Sequence, residues 1–280
     1  RHGPGAPGAG RQMTAVGIHA QAVGKVYAGD KPLTALENIS LDVRPGEFIS
    51  ILGPSGCGKS TFLRCIAGLE AHTSGTLEVD GRPVDGPPEH IGMVFQRDAL
   101  LDWRTIEKNI LLPVEFAKKP LADYHQPLRE LLRLTGLADF GQHYPRQLSG
   151  GMRQRAAICR ALIDKPGLLL MDEPFGALDA LTRDQMNAEL QRLWLETRNT
   201  VVFVTHGIAE AAFLADRVVV LSPRPGRIAE ILEIDLPRPR RLAVRETPEF
   251  GRYTTRIREL FRAMGLLNED SGAVREELAA

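Results

Sequence analysis

"FISILGPSGCGKSTFLRCIAGL", residues 48–69, sets the fold. A largely apolar run, Phe48–Leu52, meets a segment in which glycines and a proline surround Lys59, and Phe62, Leu63, Ile66 and Leu69 then recur at helical spacing. The unit reads as strand, loop and helix, with the helix ending near Gly68. Its loop fits G-x-x-x-x-G-K-[ST] at Gly53, Gly58, Lys59 and Ser60, in the strand-to-helix setting the pattern needs. Glycines let successive backbone N–H groups converge on phosphate oxygens, and the helix N-terminus adds favourable partial charge. The expected contacts run through Gly53, Pro54, Ser55, Gly56, Cys57, Gly58, Lys59, Ser60 and Thr61. Lys59 would reach the β- and γ-phosphates and the Ser60 hydroxyl would ligate Mg²⁺. An accidental glycine-rich turn is the competing reading, and the flanking strand and helix argue against it. Cys57, inside the loop, reads as a small filler rather than a redox switch.

Outward from that unit, strands and helices alternate. Gly17 to about Ser50 carries β-rich stretches, with apolar Ile39, Leu41 and Val43 in alternation, broken by Gly29-Asp30 and Pro45-Gly46; an antiparallel meander is predicted. Thr76–Val79 and Ile91–Phe95 read as strands, and Ile106–Gly136 as largely helical with prolines at 113, 120 and 127. Gly150–Ile163 predicts a helix, Leu168–Met171 a buried strand, Arg183–Thr197 a helix, and Val201–Thr205 and Arg217–Leu221 two more strands. Such alternation implies a largely parallel, buried sheet. Prolines at 225, 237 and 239 predict a linker, followed by a last helix with Phe250, Tyr253, Ile257, Leu260, Phe261 and Met264 on one face. Residues 1–12 are Gly/Pro-rich without an apolar h-region and precede Met13, so they are expected to be a disordered leader or appended remnant rather than a signal peptide.

The chain has 280 residues, 43% of them hydrophobic, enough for a large core. Its 35 basic and 35 acidic residues cancel, so no overall field draws it to nucleic acid or an anionic membrane. Cys57, Cys65 and Cys159 lack the paired spacing of a zinc or redox site and read as reduced thiols of a cytosolic chain. No apolar run approaches the roughly 20 residues that cross a bilayer.

A second motif, "LLLMDEP", delivers Asp172 and Glu173 to the carboxyl edge of the sheet, where ligands bind in open α/β folds. Asp172 would hold Mg²⁺, directly or through water, and Glu173 would orient or deprotonate the water attacking the γ-phosphate. Two solvated acids at a strand end are the alternative, and the neighbouring phosphate loop disfavours it. A third, "LSGGMRQR" (Leu148–Arg155), opens a helix on a Gly pair with Ser149 as N-cap.

Together these motifs resemble the nucleotide-binding subunit of an ATP-binding cassette (ABC) transporter, from about Gly17 to Leu221. The fold implied is α/β: a P-loop NTPase (RecA-like) core with an N-terminal antiparallel β subdomain and an inserted α-helical subdomain. In domain terms, residues 13–222 form the ATPase domain, about 97–164 its helical subdomain, and 223–280 a C-terminal extension ending in an amphipathic helix. By the same resemblance Ser149, Gly150 and Gly151 would contact the γ-phosphate bound to the opposite subunit of a homodimer. Gln96 matches the glutamine that links Mg²⁺ and the attacking water to the helical subdomain. Asp179 lies in an "ALD" segment that communicates across the dimer, His206 matches a switch histidine on the γ-phosphate, and Tyr27 sits where an aromatic stacks on adenine. Ordinary packing for Tyr27, a surface position for His206 and an unliganded loop site for Gln96 are the bland counterparts. Two positions depart from the pattern: Met152 replaces the common glutamine, and Gly207 follows His206 where an aspartate is usual.

"DALLDWRTI" and "VLSPRPGRIAEILEIDLPRPR" resemble the nitrate/sulfonate/taurine (also bicarbonate) importer ATPases. That implies a two-copy integral-membrane permease, an extracytoplasmic solute-binding protein, and a peripheral position on the cytoplasmic face of the inner membrane. Leu100, Leu101 and Trp103 either line a groove for the permease or pack the helical insertion. Arg238, Arg240 and Arg241 read as a solvated surface, with contact to anionic headgroups as the alternative. A cassette ATPase acting on nucleic acid or the ribosome is the rival class; one cassette, short helices and zero net charge point away from nucleic acid.

Overall fold

A computed structural model describes residues 15–267. The expected leader, residues 1–12, lies outside the described residues. Strands β1 (Ile18–Tyr27), β2 (Leu33–Val43) and β3 (Phe48–Leu52) lead to helix α1 (Lys59–Ile66), then β4 (Ser74–Val79), the short β5 (Arg82–Pro83) and β6 (Ile91–Val94). The helical subdomain follows as α2 (Ile106–Ile110), α3 (Leu112–Phe116), α4 (His125–Leu134) and α5 (Gly150–Leu162). The chain returns through β7 (Leu168–Asp172), α6 (Ala180–Thr197), β8 (Thr200–Thr205), α7 (Ile208–Leu214), β9 (Arg217–Leu221), β10 (Ile228–Glu233) and α8 (Pro248–Ala263).

The strands form two sheets. An antiparallel one runs β2-β1-β4-β5, and a six-stranded one runs β10-β9-β3-β8-β7-β6. In the larger sheet β9, β3, β8, β7 and β6 are mutually parallel, and β10 joins β9 antiparallel. Period-two alternation sorts its side chains. Ile49, Ile51, Val202 and Val204 pack towards α1 and the antiparallel sheet, whereas Phe48, Leu52, Val201 and Phe203 face the cluster that includes α6, α7 and α8. A third cluster, from Ile106, Ile110, Val114, Leu128 and Leu132, closes the helical subdomain on Ala156, Cys159 and Ile163. Because Ile158 belongs to the main core, α5 ties that subdomain to the sheet.

The prolines of the helical stretch start elements as well as interrupt them. Pro113 occupies the first turn of α3, where its missing N–H is not needed, and Pro120 caps a short 3₁₀ turn. Beyond Leu221 the structure departs from the sequence reading, because the expected linker carries β10, a sixth strand of the core sheet. Phe250 and Ile257 of α8 are buried in that core, as their spacing predicts.

The arginine cluster is a second correction. Arg241 is exposed, but Arg238 and Arg240 turn inward. Arg238 pairs with Asp216 at 2.8 Å and lies 4.4 Å above the Trp194 ring. Arg240, 4% exposed, donates to the carbonyls of Ala212, Phe213 and Ala215 and to those of Ile234 and Leu236. The first three are carbonyls at the end of α7, which has no continuing turn to satisfy them, and a cation there also meets the negative end of the helix dipole. Burial pulls the guanidinium down to about 10, still charged at neutral pH. Replacing Arg240 with Met should therefore destabilise the fold by about 3 kcal/mol, because several buried carbonyls lose their donor at once. Urea unfolding reads this as a lower midpoint at unchanged slope. A surface arginine would shift it by less than about 0.5 kcal/mol.

Candidate nucleotide-binding site

Strand register assembles the site. Leu52 pairs with Thr205, Asp172 with Val204, and Val94 with Met171, so β3, β8, β7 and β6 end at the same edge. The residues that follow, Gly53, His206, Glu173 and the segment leading to Gln96, therefore emerge side by side, where open α/β sheets bind ligands. The phosphate loop leaves β3 and turns into α1 through Gly56 at φ +75° and Gly58 at φ +105°. At Gly58 a Cβ would also stand 2.8 Å from the Ala35 carbonyl oxygen, so β2 backs the loop directly and only glycine fits.

Lys59 is buried at the start of α1 and donates through Nζ to the carbonyls of Gly53 (2.9 Å) and Pro54 (3.0 Å). Its ammonium is thereby held inside the curl of the loop. The Ser60 hydroxyl donates to Asp172 Oδ1 at 2.7 Å. Glu173 reaches in two directions: Oε1 lies 3.7 Å from Lys59 Nζ and Oε2 lies 3.2 Å from His206 Nδ1. Its backbone sits in the left-handed region at φ +45°, anchored by its N–H on the Val204 carbonyl and by the Gly176 N–H on its own carbonyl. A non-glycine residue held there costs on the order of 1 kcal/mol, a strain that collects at functional positions. Burial pushes the Asp172 carboxyl above the usual carboxylate range, against the lowering effect of the Ser60 hydrogen bond.

These donors fit Mg²⁺. Ser60 and Asp172 present hard oxygens in contact, and a half-desolvated carboxylate gains from a cation. No group of three or more acidic, His or Cys residues suited to a metal occurs among the described residues. Mg²⁺ in such sites is generally bound through a few protein oxygens together with substrate phosphates and water. Ser60→Ala should weaken Mg²⁺-dependent nucleotide binding several-fold while leaving Mg²⁺-free binding nearly unchanged, as titrations with and without a chelator will read.

Not every expected residue joins this centre. Ser149 caps α5, accepting from the Met152 N–H at 3.3 Å, with Gly150 and Gly151 opening the helix. A Cβ on Gly151 would stand 2.8 Å from Thr182, and one on Gly150 would have Arg153 and Leu178 within 4 Å. The Gly pair thus borders the start of α6, not the phosphate loop of its own chain. Asp179 is exposed and caps α6 by accepting from the Thr182 N–H at 3.0 Å. Gln96 is exposed just past β6. The segment after it is clamped, because Arg153 pairs with Asp98 at 2.9 Å and Arg160 donates to the carbonyls of Asp98 and Ala99. Sequence reading missed these arginines; they sit in the turns of α5 that follow the Gly pair.

Tyr27 ends β1 beside α1. Its hydroxyl donates to Glu70 at 2.5 Å and lies 3.4 Å from the Thr61 hydroxyl. Burial, and then the Glu70 hydrogen bond, hold the phenol above its usual pKa. Trp103 is 75% exposed, Leu100 and Leu101 are half-buried, and Leu100 packs on the helical cluster. The backbone behind Trp103 is fixed by Asn109, fully buried, whose side chain bonds Leu101, Arg104 and Thr105.

A family model described as ABC transporter matches residues 36–176. An uncharacterized ABC transporter ATP-binding protein of Methanocaldococcus jannaschii is 47% identical over 81% of this chain and 84% of its own length. The nitrate import ATP-binding protein NrtD of Synechococcus elongatus is 44% identical over 85% of this chain and 89% of its own. The taurine import ATP-binding protein TauB of Rhizobium johnstonii is 44% identical over 82% and 89%. Among solved structures, the ATP-binding cassette MJ0796, a dimer in a post-hydrolysis state with ADP and Pi, superposes at TM-score 0.69 with 33% identity. It covers 78% of this chain and 99% of its own. With a phosphate loop, an acidic pair and a histidine on one sheet edge, and with these likenesses over most of its length, the chain belongs to the ATP-binding proteins of ABC transporters.

Proposed function

We propose that the chain is the ATP-hydrolysing subunit of an ABC importer that energises uptake of a small anion, such as nitrate, an aliphatic sulfonate or taurine. The observation that carries the ATPase chemistry is the double contact of Glu173 with Lys59 and His206 beside the Ser60–Asp172 pair. Lys59 binds the β- and γ-phosphates, Glu173 takes the proton of the attacking water, and His206 orients Glu173 and meets the γ-phosphate. Ser60, Asp172 and Gln96 would hold Mg²⁺, which when bound neutralises charge on the phosphate oxygens.

The Gly pair stands away from its own phosphate loop, in keeping with sites shared between two copies. Ser149, Gly150 and Gly151 of one protomer would close on the γ-phosphate held by its partner, with Asp179 facing across the interface. The solved cassette of known dimeric form supports this reading. Closure on ATP and reopening on hydrolysis then drive the permease.

Permease docking is assigned to the segment after Gln96. Trp103, exposed on a backbone that Asn109 holds rigid, is an anchor of the kind that dominates interfaces, and Leu100 and Leu101 border it. None of the described helices is long and apolar enough to cross a membrane. In this reading the subunit works at the cytoplasmic face of the membrane, through its contact with the permease. A solute-binding protein on the far side delivers the anion, which this subunit never touches.

Affinity capture from native membranes with Glu173→Gln protein and Mg-ATP tests this. A multispanning permease is expected to co-purify, with a solute-binding protein in the same complex, and Trp103→Ala should reduce the permease yield at least tenfold. Recovery of ribosomes or nucleic acid alone would leave the ATPase chemistry standing and overturn the transport role.

A further inference from the structure

Glu70 lies just past α1, on a turn whose N–H bonds the Arg64 carbonyl. Its carboxylate is the meeting point of two elements. Oε2 accepts from the Tyr27 hydroxyl at 2.5 Å and lies 3.6 Å from Lys25 Nζ, while Oε1 lies 3.5 Å from Arg64. Lys25 precedes Tyr27 by two residues on β1 and so shares its face. Its ammonium donates to the Ala71 carbonyl at 2.7 Å and stands 4.9 Å from the centre of the Tyr27 ring. One face of the aromatic is therefore covered by a cation, and its hydroxyl end is pinned to the helix that begins with Lys59 and Ser60.

We propose that Glu70 is a positioning residue for the nucleotide base: it locks the Tyr27 ring against the phosphate helix while Lys25 covers one face, so that the purine stacks on the other. This rests on the reading of Tyr27 as the base platform. The physical gain is pre-organisation, since an aromatic already held by a charge-assisted hydrogen bond loses little freedom when the base arrives. A cation on one face also draws electron density from the ring, which favours stacking of an electron-rich purine on the other. Because the phosphate loop leads into α1 and Glu70 sits on the turn that follows it, tied back by its N–H to the Arg64 carbonyl, the spacing between base and phosphate sites is set across one short helix.

Affinities for ATP and for inorganic tripolyphosphate, which has no base to stack, separate the possibilities. Glu70→Ala and Tyr27→Phe are each expected to weaken ATP binding about fivefold, to leave tripolyphosphate binding unchanged, and to add nothing further when combined. Glu70→Gln should recover most of the loss, because its carbonyl oxygen still accepts from the phenol. Tyr27→Ala should weaken ATP binding more than tenfold. If Tyr27→Ala leaves ATP affinity intact, the base-platform reading falls and the proposal with it. If Tyr27→Ala weakens ATP but Glu70→Ala does not, the role of Glu70 alone is overturned. A Glu70→Ala loss shared equally by tripolyphosphate would place its effect on the phosphate helix and would likewise overturn the proposal.

Discussion

Glu173→Gln is expected to bind ATP as the native protein does, to hydrolyse it about 10²–10⁴-fold more slowly, and to accumulate as a nucleotide-bound dimer. The amide keeps the size and hydrogen-bonding reach of the carboxylate but cannot take a proton from water. Its position should survive, because the left-handed backbone at Glu173 is set by main-chain bonds to Val204 and Gly176. The loss therefore falls on the barrier, by about 3–5 kcal/mol, and not on assembly of the site. Phosphate release at saturating Mg-ATP reads the rate, and light scattering after size exclusion reads the dimer. Turnover within a few-fold of native would move the base elsewhere, with His206, 3.2 Å from Glu173, the first group to examine.

The phosphate loop, acidic pair and histidine were legible in sequence because each follows an apolar strand whose end is marked by a change of residue type, and parallel pairing then aligns those ends. The register that places Asp172 opposite Val204 needed only the strands to be counted correctly. The C-terminal stretch was not legible for a complementary reason. Prolines flank Ile228–Glu233 and suggest a linker, yet β10 is an edge strand, pairing on one side only, and the prolines lie outside its ladder. Nor does a pattern reveal a buried arginine. Arg240 is matched by carbonyls that two separate segments, the end of α7 and the stretch after β10, bring to it, and carbonyls carry no residue identity. The same holds for Arg160 behind Gln96 and for Glu70 behind Tyr27, where the partner is fixed by the fold and not by spacing along the chain.

Lys59→Met should abolish measurable turnover and weaken binding of ATP and tripolyphosphate alike by about 10²-fold. Methionine approximates the length and volume of the lysine stem, so the substitution removes chiefly the charge. That charge is buried, 4% exposed, and its carboxylate neighbour Glu173 lies 3.7 Å away. A cation in such surroundings is weakly screened and acts strongly on a polyphosphate that enters the loop. The loop itself should keep its shape, since its curl is also held by the Cys57 N–H on the Pro54 carbonyl and by Arg224 Nε on the Gly56 carbonyl at 2.9 Å. Loss of binding will then appear without loss of fold: the melting temperature without nucleotide stays near native, and the rise on adding ATP disappears. The effect also separates two halves of the site. A base platform acts on ATP alone, whereas Lys59 acts on the phosphates, so tripolyphosphate must report Lys59→Met and ignore Tyr27→Ala. Unchanged tripolyphosphate affinity in Lys59→Met would mean that the loop does not hold the β- and γ-phosphates, and the geometry of Ser60, Asp172 and Glu173 would then need another ligand.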